Sequence, residues 1–261
     1  MIDDTQVEAA AAALLGAYAS RVPIAPLSER YPGLTVDDAY AIQSAQISAW
    51  TADGRAIWGY KVGLTSRAMQ QQLGVDQPDY GFLVDGMGYP DGGEVALDRF
   101  LAARVEPEIA FVLGRDLRGP GLTADGAREA VDAVVASIEI IDSRIADWRI
   151  TLPDTIADNA SSAGAVLGSV RLPVDAVDLA GLTVTLARNG DRIAEGTGAA
   201  VMDSPLNALT WLANKLGEYG VTLTAGSVVL PGSVCAAAPV SAGDDISADF
   251  GPLGTVGIRF S

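Results

Sequence analysis

The stretch from Arg104 to Gly114, RVEPEIAFVLG, sets an apolar run directly behind two glutamates spaced one residue apart. Ile109, Ala110, Phe111, Val112 and Leu113 read as a buried strand, and side-chain alternation puts Glu106 and Glu108 on one face with Ala110 and Val112. The α-carbons of the two glutamates would lie roughly 7 Å apart, where two unit charges repel by about 2 kcal/mol at an effective dielectric of about 20. Water, a proton, an arginine or a metal ion must offset that repulsion.

A third carboxylate enters in VVASIEIIDSRIADW (134–148), where Glu139 is flanked by Ile138, Ile140 and Ile141. An unpaired charge in such a strand is costly. One explanation is a strand edge on which the three glutamates face solvent or pair with Arg104 and Arg144. The more economical one is a single octahedral dication held by all three and completed by water and substrate oxygens.

Composition narrows the chemistry. The 261 residues are 49% apolar, enough for a substantial core. With 17 basic and 33 acidic residues the net charge is −16, which disfavours nucleic acid and anionic membrane partners. There is no histidine, so histidine-dependent triads and imidazole-ligated zinc sites are excluded. A metal here needs oxygen ligands, which favours Mg²⁺ or Mn²⁺. The one cysteine, Cys235, can form no internal disulfide and has no histidine to activate it as a nucleophile. The acidic opening MIDDTQVE lacks the basic start of a secretory signal, and the expected location is cytoplasmic.

Along the chain, the first ninety residues read as mainly helical and 91–261 as a β-rich core. Thr5 and Glu8 are expected to form a capping box for a first helix, and Thr35 and Asp38 to open a second that closes at Gly54. AIWGYKVGL (56–64) reads as a strand and SRAMQQQLG (66–74) as a helix. From about residue 92 strands alternate with glycine and proline, and Asn189-Gly190 predicts a type I′ hairpin turn. Two helices interrupt them, one after Thr123 and one opened by Ser204 and Pro205. The fold class is α+β: a helical N-terminal part on a mixed, largely antiparallel β core.

Several further residues draw notice. Lys61 is one of only two lysines against fifteen arginines, and it lies inside an apolar strand. It is either a compact buried cation or a surface lysine whose stem snorkels. Gly63 to Ser66 precede the expected helix, where backbone N–H groups suit a carboxylate. IADNASSAG (156–164) reads as a polar loop, and Gly232 and Ser233 sit at a strand end, where amides can approach a ligand.

The ordered motifs GYKVGLTS, LGVDQPDYG, RVEPEIAFVLGRDL, EIIDSRIADW, DTIADNASSAG, RNGDRIAEG, SPLNALTWLANKLGEYG and LPGS resemble those of the 2-keto-4-pentenoate hydratases within the fumarylacetoacetate hydrolase superfamily, from about Gly59 to the C-terminus. That resemblance implies a mixed β-roll core in which Glu106, Glu108 and Glu139 hold a divalent cation. It implies Lys61, Asp79 and Ser161 as catalytic residues, with Leu64, Thr65, Ser66, Gly232 and Ser233 around the substrate. The implied reaction is hydration of 2-hydroxypenta-2,4-dienoate to 4-hydroxy-2-oxopentanoate in aromatic or steroid ring catabolism. It also implies a homo-oligomer and a complex with a pathway decarboxylase or aldolase. Without histidine, the water-activating dyad of the superfamily's C–C hydrolases is missing. The alternatives are a 4-oxalocrotonate decarboxylase acting on 2-oxohex-3-enedioate, a hydratase of a longer dioate, and a non-catalytic module built round a structural ion.

Overall fold

The computed structural model describes residues 1–67, 70, 71 and 74–261. Three helices lead: α1 (Asp4–Ser20), α2 (Leu27–Arg30) and α3 (Val36–Ala52). Thr35 and Asp38 form the expected capping box on α3. On α1 the box is Asp3 with Gln6 rather than Thr5 with Glu8. An aspartate followed three residues on by a glutamine satisfies the free N–H groups two residues earlier. The helix expected over 66–74 falls partly on 68, 69, 72 and 73, which lie outside the described residues.

Helices dominate only as far as Ala52. The strands β1 (Ile57–Gly63), β2 (Asp79–Val84), β3 (Gly88–Tyr89) and β4 (Gly93–Val95) follow, the first two of ordinary length and the last two of two and three residues. Next come β5 (Arg104–Leu113), α4 (Ala124–Ala130), β6 (Val131–Ile141), α5 (Leu152–Ala157) and β7 (Ser162–Leu167). The stretch read as a loop from Ile156 therefore begins inside α5 and ends inside β7. Apolar residues in TLPDTIA are too few to mark so short a helix by periodicity, and the Thr151–Asp154 capping box starts it instead. The remainder is β8 (Thr183–Arg188), β9 (Asp191–Thr197), α6 (Pro205–Glu218), β10 (Val228–Leu230), β11 (Ala238–Pro239), β12 (Asp245–Asp249) and β13 (Thr255–Phe260). Asn189 and Gly190 join β8 to β9 with φ of 54° and 87°, as a type I′ turn requires.

The strands form two sheets. The larger runs β2-β1-β10-β5-β6-β7-β3, with β11 on the other end of β5; the smaller runs β4-β13-β12-β8-β9. Pairing is antiparallel except at β1–β10, β3–β7 and β4–β13, so the sheets are mixed and largely antiparallel. One face of the long β5–β6 ribbon sends Val105, Ile109, Phe111, Ile138 and Ile140 into the main core with Ile246, Ile258 and Phe260 of the small sheet. The opposite face carries Ala110, Val112, Ala133 and Val135 into a second apolar cluster with Leu83, Val228 and Leu230. Glu106, Glu108 and Glu139 extend that second face. Among the described residues no helix is long and apolar enough to cross a membrane.

Candidate metal-centred active site

Strand register builds the site. Glu106 lies directly opposite Glu139 across the β5–β6 pairing, and Glu108 is two residues further along β5 on the same face. One carboxylate oxygen from each of the three lies within 4.8 Å of the others. Glu108 and Glu139 are wholly buried, whereas Glu106 is half-buried and marks the open side. Among the described residues neither Arg104 nor Arg144 forms an ion pair with the trio, although the Arg104 charge partly opposes the rise of the Glu106 carboxyl. The Arg104 guanidinium lies over the Trp148 ring at 4.4 Å, and Arg144 donates from Nε to Asp158 at 2.6 Å.

β1 and β2 bring the remaining charges to the same face. Lys61 pairs with Gly81, and Gly63 with Asp79, so Lys61 and Asp79 project together beside the glutamates. Gly63 is required by that approach, because a Cβ there would overlap Asp79 Oδ1. The Lys61 ammonium is 3.6 Å from Glu139 Oε2 and donates to the carbonyl of Ala160 at 2.9 Å. Only 3% of Lys61 is exposed, which excludes a snorkelling surface lysine.

The Ala160 carbonyl is presented by an unusual backbone. Asn159, Ala160 and Ser161 have φ of 54°, 50° and 57°, three consecutive left-handed residues without a glycine. Such residues cost about 1–3 kcal/mol each and persist where surrounding contacts over-determine them. Here the Asn159 side chain accepts from the Phe82 amide at 2.8 Å and donates to the Phe82 carbonyl at 2.9 Å. Asp158, just before the turn, is held by Arg144 through both side chain and backbone. The turn also brings Ser161 Oγ to 3.2 Å from Thr155 Oγ1.

A second loop closes the site beyond Glu108. Gly232 has φ 120° and donates its N–H to Glu108 Oε2 at 2.7 Å. A side chain at 232 would meet both that conformation and the Thr65 side chain packed against it. The Thr65–Gly232 contact thereby sets the Thr65 side chain against the loop that caps Glu108. The Ser233 hydroxyl donates to the Cys235 carbonyl at 2.7 Å and so shapes the loop. Burial pushes the Cys235 thiol up to about 11, which removes it as a nucleophile at neutral pH.

The electrostatics are those of a cation site. Burial, and then repulsion from Glu139 and Glu106, raises the Glu108 carboxyl well above its ordinary range. Burial raises Glu139 to about 7 although Lys61 opposes it, and it raises Glu106 and Asp79 as well. Burial disfavours the Lys61 ammonium, but Glu139, Asp79, Glu106 and Glu108 outweigh it and hold its pKa above the usual value. Glu108 Oε1, both oxygens of Glu139 and Asp79 Oδ1 are buried without a hydrogen-bond partner. Orphaned carboxylate oxygens, converging from three side chains with a single ammonium nearby, fit a hard dication.

Sequence reasoning had no signal for Asn159, Ala160, Asp158 or Thr155 as supports of the site. Their roles depend on a left-handed turn that no residue-type pattern announces.

A mixed sheet curled round converging carboxylates is the architecture of a fumarylacetoacetate-hydrolase-like protein. The model of the fumarylacetoacetate (FAA) hydrolase C-terminal family matches residues 57–261, and the chain belongs to that family. It is 44% identical over 255 residues to a 2-keto-4-pentenoate hydratase of Paraburkholderia xenovorans (strain LB400), covering 98% of this chain and 95% of the relative. A 2-hydroxyhexa-2,4-dienoate hydratase of Comamonas testosteroni is 40% identical over 263 residues, covering 100% of both chains. The structure of 4-oxalocrotonate decarboxylase from Pseudomonas putida G7, complexed with magnesium and adipate, superimposes with a TM-score of 0.97 at 36% identity, covering 100% of this chain and 99% of that one.

Proposed function

We propose that this chain is a divalent-metal-dependent hydro-lyase that adds water to 2-hydroxypenta-2,4-dienoate, giving 4-hydroxy-2-oxopentanoate in aromatic or steroid ring catabolism. The observation that carries the reading is the juxtaposition of orphaned carboxylate oxygens on Glu108 and Glu139 with the buried Lys61–Asp79 pair. The near-full-length identity to hydratases supports it.

Glu106, Glu108 and Glu139 would hold the ion, and their all-oxygen donor set suits Mg²⁺ or Mn²⁺. When bound, the dication supplies Lewis-acid stabilisation of negative charge on the 2-oxo acid end of the substrate. Lys61, kept protonated by its carboxylate neighbours, contributes a fixed positive charge beside that end and is not a base at neutral pH. Asp79 has a raised pKa and a free buried Oδ1, which suits it to carry a proton. In the first half-reaction the dienol O–H proton is lost and C5 gains one, leaving an α,β-unsaturated 2-oxo acid. In the second, the water oxygen bonds to C4 and a proton enters at C3. The Ser161 hydroxyl, hydrogen-bonded with Thr155, would orient substrate or water. Leu64, Thr65, Ser66 and the Gly232–Ser233 loop would form the wall beside Glu108.

A second reading, decarboxylation of 2-oxohex-3-enedioate, is favoured by the 0.97 TM-score to a 4-oxalocrotonate decarboxylase. That dioate brings a second carboxylate. Lys61, the buried cation beside the trio, is already engaged by Glu139 and the Ala160 carbonyl, which favours the monoacid.

The deciding experiment supplies 2-hydroxypenta-2,4-dienoate with Mg²⁺ and then with chelator, and identifies the product. Formation of 4-hydroxy-2-oxopentanoate, abolished by chelator, is expected. No turnover of this diene, together with CO₂ release from 2-oxohex-3-enedioate, would replace the hydratase reading with the decarboxylase. Assembly as a homo-oligomer, and docking on a pathway decarboxylase or aldolase, are part of the same proposal and are read by light scattering of the chain alone and with such a partner.

A further inference from the structure

Away from the glutamates, a cavity of about 510 Å³ opens where the C-terminal ends of α1 and α3 meet the β2–β3 turn and the end of β6. Its size is that of a small-molecule pocket. Arg21, Arg55 and Arg99 line it, contributed by three separate parts of the chain. Nine of the fifteen arginines are ion-paired to carboxylates of the described residues. These three are not, although the chain carries 33 acidic residues. One arginine near a helix C-terminus is explained by the helix dipole. Three unpaired guanidinium groups converging on one cavity of a protein with net charge −16 are not.

The other walls indicate what the cations face. Tyr18 and Trp50 meet edge to face at 5.3 Å, and Tyr89 and Phe100 at 6.3 Å, and all four rings line the cavity. Arg55 lies over the Trp50 ring at 5.5 Å and Arg99 over Tyr89 at 5.7 Å. Guanidinium groups stacked on rings keep their N–H edges for a planar acceptor. Two acids also line the cavity, Asp53 and Asp142. Asp142 is already engaged: it accepts from the amides of Leu101 and Ala102 at 2.9 and 2.6 Å, and Arg144 lies 3.8 Å away. Arg144, which stacks on the Tyr18 ring at 4.3 Å, is itself paired with Asp158 and Asp142, so it braces the aromatic wall, and the cavity's free cations among the described residues are Arg21, Arg55 and Arg99.

We propose that this cavity is a second ligand site, distinct from the glutamate cluster, which binds a small planar organic carboxylate with its ring or conjugated body among the four aromatic side chains and its carboxylate on Arg21, Arg55 and Arg99. The proposal is independent of the reaction catalysed at the glutamates.

The test is calorimetric titration of the full chain with sodium benzoate in the presence of chelator. Without a cation, the glutamate cluster repels carboxylates, so that site is silent. One saturable benzoate site per chain is expected. Arg21→Gln with Arg99→Gln, both at exposed positions, should weaken it at least tenfold, as should replacing benzoate by benzyl alcohol. The pair Arg30→Gln and Arg118→Gln, unpaired arginines away from the cavity, should leave it unchanged. Thermal melts establish that each variant is folded, and Arg55→Lys, which keeps the charge but not the planar fork, provides a milder second variant with an intermediate loss. Absence of saturable binding, binding indifferent to the Arg21 and Arg99 substitutions, or equal affinity for benzyl alcohol would each overturn the proposal.

Discussion

The Asn159 side chain closes a ring of two hydrogen bonds on the backbone of Phe82, accepting its N–H at 2.8 Å and donating to its C=O at 2.9 Å. It thereby pairs like an extra strand residue with the free side of β2, and it anchors the left-handed turn whose next carbonyl, Ala160, receives the Lys61 ammonium.

Asn159→Ala should therefore act through Lys61. It leaves the half-buried N–H and C=O of Phe82 without that partner, a penalty of at most about 1–3 kcal/mol each, and frees the strained turn to relax. We expect kcat for the proposed hydration to fall more than tenfold with a smaller change in KM. Asn159→Asp, which keeps the acceptor, should recover part of the loss. A lowered melting temperature with unchanged kcat would mean that the clasp serves stability alone.

Glu108→Gln removes one charge from the trio but keeps the acceptor for Gly232. Metal affinity, measured by calorimetry, and turnover should drop together by at least about tenfold, the range seen when a metal's supporting groups are altered. Unchanged affinity would remove Glu108 from the ligand set. Gly232→Ala should produce a similar loss without touching a carboxylate, because φ of 120° and the Thr65 contact both exclude a side chain.

Lys61 and Asp79 should separate kinetically. Asp79→Asn, which cannot carry a proton, should lower kcat by about 10²–10⁴ with metal binding intact. Lys61→Met removes a charge that favours an anionic substrate and an ionised Glu139, so it should raise KM as well as lower kcat. Equal effects of both substitutions on KM alone would contradict the assigned roles.

The metal-free protein should be less stable at pH 8 than at pH 5. Glu139 lies at about 7 in the folded chain against an ordinary 4.5, chiefly through burial. The folded state therefore binds that proton more tightly than the unfolded state, and stability falls as pH rises from about 4.5 to 7, then levels off. Metal ions reverse the penalty. At about 100 times its dissociation constant a dication adds about 2.7 kcal/mol, or roughly 5–10 °C in melting temperature for a domain of this size. A metal-induced shift that is larger at pH 5 than at pH 8, in parallel thermal melts, would count against the carboxylate site.

Much of the site was legible along the chain because strand periodicity is a local property. RVEPEIAFVLG places Glu106 and Glu108 on one face whatever the rest of the protein does, and an apolar strand around Glu139 demands a partner for its charge. The absence of histidine already restricts the metal to oxygen donors. Hairpin and capping signals were similarly local, although at α1 the nearer Asp3–Gln6 pair displaced the expected box.

What only the tertiary structure decided is which distant groups meet. The register that sets Glu106 against Glu139, the arrival of Lys61 and Asp79 on a neighbouring strand pair, and the left-handed turn that offers the Ala160 carbonyl are long-range outcomes. Each depends on a strand register that sets residues about thirty apart in sequence opposite one another, as Glu106 is set against Glu139, or on backbone conformations stabilised by contacts from β2, and neither is encoded in the residues' own preferences. The sequence thus determined the chemistry of the carboxylates, while packing determined that their charges share one enclosed space.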